Sequence, residues 1–229
     1  MIAFIQDKFI SVLEVFKNRI DLKEDFIKYP FYIISRPFKG FSDLKYENRG
    51  KMYFALMVVI LMCFFNIYNE MYKGFVLAGY YTENKTVNTV YVIFMTIIPI
   101  ILFVVANWSV TAIANGSGKM KEIFMVYAYA SYPKIIFSFI GLILSNFVTV
   151  EEAAFAMFFY SLGMVSFLFY LFVGLVVIHE YSFTQSVLMI VMTVIVMCII
   201  VFIVALLLAL SNEVIVFIRT VVEELTMRL

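Results

Sequence analysis

The chain has 229 residues, of which 64% are hydrophobic and only 14% charged, and its mean hydropathy is +1.00. A water-soluble domain of this length needs far more polar surface to cover one core, so the expected class is an all-α integral membrane protein. The formal net charge of +1 excludes the one-sided charge of a nucleic-acid binder, and no nucleic-acid partner is expected.

Residues 2–20 place Ile2, Ile5, Phe9, Val12, Leu13, Phe16 and Ile20 at helical spacing against a charged face, the pattern of a helix lying on a membrane or on a partner. Asp7, Lys8, Glu14, Lys17 and Arg19 interrupt this stretch, so no cleavable signal peptide is expected and the first span directs insertion. The lead-in is expected to occupy residues 1–51, with a five-helix membrane domain over 52–210 and an amphipathic tail over 211–229. The first span covers about Met52 to Tyr68, with Tyr53 near one end and Tyr68 and Tyr72 near the other, as an interfacial aromatic belt requires. The second covers about Val90 to Trp108, contains Pro99, and sets Trp108 at its far interface. The third lies within Ile123–Phe147 and is expected to break at Pro133 and Lys134. The fourth, about Ala153 to Ile178, and the fifth, about Val187 to Leu210, carry no charge. Their 26 and 24 residues exceed the roughly 20 that a span needs, so tilt is expected. Ser211, Asn212 and Glu213 then offer a cap for a short C-terminal helix, which lies outside the membrane or extends span five. None of these runs alternates as barrel strands do.

Lysine and arginine set the expected orientation. Ten precede span one, and Lys119 and Lys121 lie between spans two and three. Only Lys73 and Lys85 follow span one, none stands near Glu151 and Glu152, and Arg219 and Arg228 follow span five. Retention of positive loops inside places the amino terminus in the cytoplasm and the carboxyl terminus on the outer side of the cell membrane. The His179–Glu180 turn falls on the inner side without a fixed positive charge.

Lys134 is the one fixed charge inside a span and is a functional candidate by default. Two readings stand: an intramembrane ammonium, or a span that begins near Lys134 so that the side chain reaches the interface while 119–132 forms a separate amphipathic or re-entrant piece. Gly116-Ser117-Gly118 lacks both the dinucleotide and the Walker spacing and reads as a hairpin turn. His179-Glu180 resembles the start of a zinc helix, but Phe183 occupies the second histidine position and the chain has no other histidine, so neither a metal site nor another cofactor is expected. Asp7, Asp21, Asp25 and Asp43 all precede span one, which excludes proteolysis by paired intramembrane aspartates. Ser161 and Ser166 have no base nearby, and the chain is not expected to be an enzyme. Gly163 and Gly174 suit close helix packing, and Cys63 and Cys198 read as small buried hydrophobes. The Asn84-Lys85-Thr86 sequon matters only in a secretory-pathway host.

Two stretches resemble a known family. Tyr29 to Lys51, with Arg36-Pro37-Phe38-Lys39-Gly40-Phe41-Ser42-Asp43-Leu44-Lys45 and Glu47, resembles the pre-membrane segment of bacterial members of the Yip family, the Ypt/Rab-interacting membrane proteins. Ala106-Asn107-Trp108 through Gly116-Ser117-Gly118 to Tyr129-Ala130-Ser131-Tyr132-Pro133 resembles the family's central signature. Eukaryotic members have Gly-Tyr before the proline and a separate Asp-Leu-Tyr-Gly-Pro motif. Here Ala128-Tyr129 stands at the first and the second is missing, which favours the bacterial branch. The resemblance implies five spans with a cytoplasmic amino terminus and a non-enzymatic role. Eukaryotic relatives are adaptors that organise vesicle traffic, and bacterial relatives accompany solute-transport operons, notably those of carbohydrate ABC permeases. It nominates Arg36, Pro37, Gly40, Phe41, Asp43, Lys45, Trp108, Gly116, Gly118, Tyr129 and Pro133, together with Lys134, as partner-binding or structural positions.

The reading that follows is a non-catalytic membrane adaptor or accessory subunit, its partners the lipid bilayer and another membrane protein such as an ABC transporter permease. The alternatives are a transporter or channel in its own right, and a membrane-shaping or trafficking factor that binds a small GTPase. Homo-oligomerisation is left open.

Overall fold

The computed structural model describes residues 24–78 and 87–227; the amphipathic stretch 2–20 and the sequon at 84–86 lie outside the described residues. Within these, the regular elements are helices: α1 (Glu24–Lys28), wound as a π-helix, α2 (Tyr29–Ser35), α3 (Pro37–Tyr46), α4 (Met52–Tyr72), α5 (Phe75–Ala78), α6 (Thr89–Ile113), α7 (Met120–Ser145), α8 (Ala153–His179) and α9 (Phe183–Met227). Five of them, α4, α6, α7, α8 and α9, are long and apolar enough to cross a membrane. Helices suit that solvent because every backbone amide is satisfied within its own segment.

The helix ends follow local chemistry. Asn88 caps α6 by accepting the Tyr91 amide at 3.0 Å, and the Glu122 carboxylate accepts the Lys119 amide at 3.0 Å where α7 begins. α8 stops at Glu180, which adopts the left-handed conformation with φ 59. At the opposite end of the bundle from Lys119, the Asn146 amide donates to the Tyr72 carbonyl at 3.0 Å and Gly74 donates to Ser145 Oγ at 3.0 Å. These bonds tie the exit of α4 to the exit of α7.

α7 runs through the middle of the bundle and packs most closely on α8. Gly163 and Gly141 make that approach possible, since a Cβ at Gly163 would stand 3.1 Å from the Lys134 carbonyl and one at Gly141 would stand 3.1 Å from that of Ala156. The lead-in is part of the core. Tyr29, Ile33, Phe41 and Leu44 share one buried cluster with Phe54, Val126 and other residues of α4, α6, α7 and α8.

Two expectations are corrected and one open alternative is decided. α7 does not break at Pro133 but continues from Met120 to Ser145. The proline removes one amide, yet Ser131, Pro133 and Ser138 are buried by neighbouring helices, and that packing holds both halves in line. Of the two readings of the C-terminal stretch, the structure has the one in which it extends span five, because α9 runs unbroken for 45 residues. Ser211 donates to the Leu207 carbonyl at 2.7 Å, one turn back in its own helix, and therefore does not act as a cap. Finally, Cys198 is exposed on α9 and Cys63 only partly covered, so neither is the buried hydrophobe expected.

Candidate functional site

α3 ends over the mouth of the bundle, and Lys45 reaches into it. Its ammonium donates to Ser117 Oγ at 2.7 Å, to the Ile178 carbonyl at 2.8 Å and to Glu180 Oε1 at 2.5 Å. A cation belongs there, because the final carbonyls of α8 are the negative end of its dipole. The Tyr46 hydroxyl donates to the same Glu180 carboxylate. These bonds, the Lys45 ammonium first, hold the Glu180 carboxyl down to about 2. The lead-in is thereby latched to two loops far away in sequence, the 114–119 turn and the 179–182 turn.

Behind Lys45 lies a buried relay with one consistent proton direction. Gly118 N–H donates to His179 Nδ1 at 3.3 Å, which assigns the ring proton to Nε2. That nitrogen donates to Asn107 Oδ1 at 3.2 Å, the Asn107 amide donates to Thr193 Oγ1 at 3.1 Å, and Thr193 donates to the Met189 carbonyl at 2.7 Å. His179, Asn107 and Thr193 are each buried, so each donor and acceptor needs its partner. The chain links the turn between α6 and α7 to α8, α6 and α9. The His179 ring stacks on Tyr181 with centroids 5.4 Å apart.

The Gly-Ser-Gly turn is the seat of this ring. A Cβ at Gly118 would lie 2.6 Å from His179 Cε1, and one at Gly116 would lie 2.5 Å from the Tyr181 hydroxyl oxygen. Both glycines are needed for close approach, and Ser117 between them completes the Lys45 latch.

A second cluster seats the lead-in itself. Phe41 is fully buried against Gly174, where a Cβ would meet Val126 Cγ1 at 2.4 Å and Phe41 Cε1 at 3.3 Å. Gly40 lets α3 fold back on α2, with its Cβ position only 2.8 Å from Ile33 Cγ1, and its carbonyl accepts the Tyr29 hydroxyl at 3.0 Å. Burial pushes the Tyr29 hydroxyl up, out of the range in which it would ionise. Asp43 accepts from Tyr32 at 3.1 Å and from Arg49 at 3.4 Å. Tyr129 stacks on Phe54 at 4.5 Å, and its hydroxyl accepts the Lys51 amide at 3.2 Å.

The nominated residues therefore divide. Lys45, Gly116 and Gly118 meet at the latch; Gly40, Phe41, Asp43 and Tyr129 build the lead-in's seat. Arg36 is exposed at the elbow between α2 and α3, where Pro37 opens α3 at the position proline favours. Trp108 faces outward from α6. Pro133 stands one turn beyond Tyr129 in the middle of α7, with Lys134 next to it and the Lys134 ammonium 5.3 Å from the centre of the Phe167 ring, and neither bonds into the latch. Sequence reasoning missed His179, Glu180, Asn107 and Thr193. Only a histidine–glutamate pair at the end of a long apolar run, and a lone asparagine within span two, hinted at them.

A family model, the Yip1 domain, matches residues 31–206, which takes in every residue just named. The chain belongs to the Yip1 domain family. No curated protein and no solved structure matches it. It is a multi-pass membrane protein of the Yip family, and the matched region ends within α9.

Proposed function

We propose that this Yip-family chain is a non-catalytic membrane adaptor or accessory subunit that holds a second membrane protein, the case that the family resemblance suggests being a carbohydrate ABC transporter permease. The observation that carries this reading is α9. Ser186 and Thr193 are its buried residues, and from Val201 to Met227 every residue is exposed. That stretch alone is about 40 Å of helix with no partner in the described chain. The polar residues at the other end of the bundle are bonded to one another in the latch, an arrangement that suits a rigid platform.

The lysine-rich end faces the cytoplasm on this reading, because Lys and Arg are retained inside. Phe31, Phe38, Arg36 and Lys39 are exposed on the outer side of α2 and α3 and form the docking face there. The test is photocrosslinking from position 202 or 206 in native membranes. The expected adduct contains a transporter permease. Solute flux through liposomes holding this chain alone would instead make it a transporter. Orientation is tested with a membrane-impermeant thiol reagent on a Cys63, Cys198-free chain: a cysteine replacing Glu151 should label from outside and one replacing Lys119 should not.

A further inference from the structure

A crevice of about 460 Å³ opens at the lysine-rich end, lined by Met52, Ile101, Val104, Met120, Lys121 and Phe124. It lies between the first turns of α4 and α7 and the later half of α6. Its walls are aliphatic and aromatic except for Lys121. Lys51 and Lys119 directly precede the lining residues Met52 and Met120. Among the described residues none of these three ammonium groups is ion-paired, whereas Lys45 and Arg49 at the same end both are. Two helices also begin here; Glu122 already meets the Lys119 amide where α7 starts, but α4 has no side-chain cap over its first amides, so its dipole favours an anion as the lysines do. Trp108 stands on the α6 face that carries Ile101 and Val104, seven and four residues on, and is 45% exposed. That is the placement of a tryptophan at a membrane–water interface.

A slot that is apolar along its walls and cationic at its mouth fits a molecule divided the same way. We infer that the crevice binds one anionic phospholipid, with an acyl chain lying between α4, α6 and α7 and the headgroup phosphate held by Lys121 and Lys51. Basic pockets between membrane helices select negative headgroups on this principle. A zwitterionic lipid sets its own ammonium against the lysines and is disfavoured. This site is separate from the latch and does not depend on which protein α9 engages.

Trp108 is the chain's single tryptophan, so its fluorescence reports on the crevice in the unmodified protein. The full chain is placed in mixed micelles with phosphatidylglycerol brominated on its acyl chains, or with phosphatidylcholine brominated in the same way. Half-quenching by the anionic lipid is expected at a mole fraction lower by roughly fivefold for each lysine engaged, and about 0.5 M salt should narrow the gap. Lys51→Gln with Lys121→Gln should bring the two lipids together, while Lys28→Gln at the exposed end of α1 leaves the preference intact. Glycerol 3-phosphate, which has the phosphate without the chains, should not relieve quenching. Equal quenching by both lipids in the unmodified chain, a preference that survives the paired glutamines, or relief by glycerol 3-phosphate would each overturn the assignment. The first comparison needs no variant and so stands whether or not the double substitution folds.

Discussion

Lys45 satisfies three acceptors from two separate loops, and its loss leaves the last α8 carbonyls and the Glu180 carboxylate without a cation. Lys45→Met is therefore expected to lower the thermal midpoint in detergent, and Glu180→Gln to lower it less, since an amide still accepts from Tyr46. The pH dependence has a definite sign. The Glu180 carboxyl is depressed from 4.5 to about 2, so its contribution is fully present above about pH 4.5 and is lost as the pH falls through 2. Thermal midpoints measured between those values should fall more steeply for the unmodified protein than for Lys45→Met; parallel curves would show that the latch contributes nothing. Gly118→Ala places a methyl 2.6 Å from the His179 ring and is expected to cost about 1–3 kcal/mol, as overpacking does. Ser117→Ala removes one of Lys45's three acceptors without that clash and should cost less.

At the scale of elements, α7 shows how context overrides a local signal. Proline at 133 deletes a hydrogen bond to the carbonyl of residue 129, and an isolated helix would kink or end there. Inside the bundle both flanks are packed, and the helix goes on. Lys134 follows from the same enclosure: its ammonium lies against Phe167 near the middle of a 26-residue helix, where hydrocarbon or protein surrounds it. Desolvation of that charge is unfavourable, so Lys134→Met is expected to raise stability by about 1–3 kcal/mol. A thermal midpoint that drops instead would show the ammonium to have a partner that holds the fold together. The order of the elements was legible, because each span is a long apolar run. Its exact ends were less so: α4 extends to Tyr72 and α6 to Ile113, since a helix continues past the apolar run for as long as its amides find carbonyls.

For the molecule as a whole, the core sits toward the lysine-rich end, where α2 and α3 insert aromatic residues among α4, α7 and α8. The far half of α9 stands apart from it. Ending the chain at Leu210 is expected to leave the unfolding transition of the bundle unchanged, because residues 211–227 are exposed throughout, while the crosslink to a partner weakens or disappears. A bundle that unfolds at markedly lower temperature would mean that residues 211–227 support it after all.

Hydropathy is a property of a window of neighbouring residues, and so the sequence by itself determined the membrane class, the five spans and the clustering of positive charge toward one set of loops. The two family motifs were equally local and could be read directly. Which polar groups meet was decided only in three dimensions. Lys45 lies 135 positions from Glu180, and Asn107 lies 72 from His179; spacing within a helix relates residues a few places apart, but the packing of one span on another selects partners at any separation. The glycines of the 116–118 turn, the glycine opposite Phe41 and the proline inside α7 take their meaning from what presses against them, which no run of neighbours along the chain records.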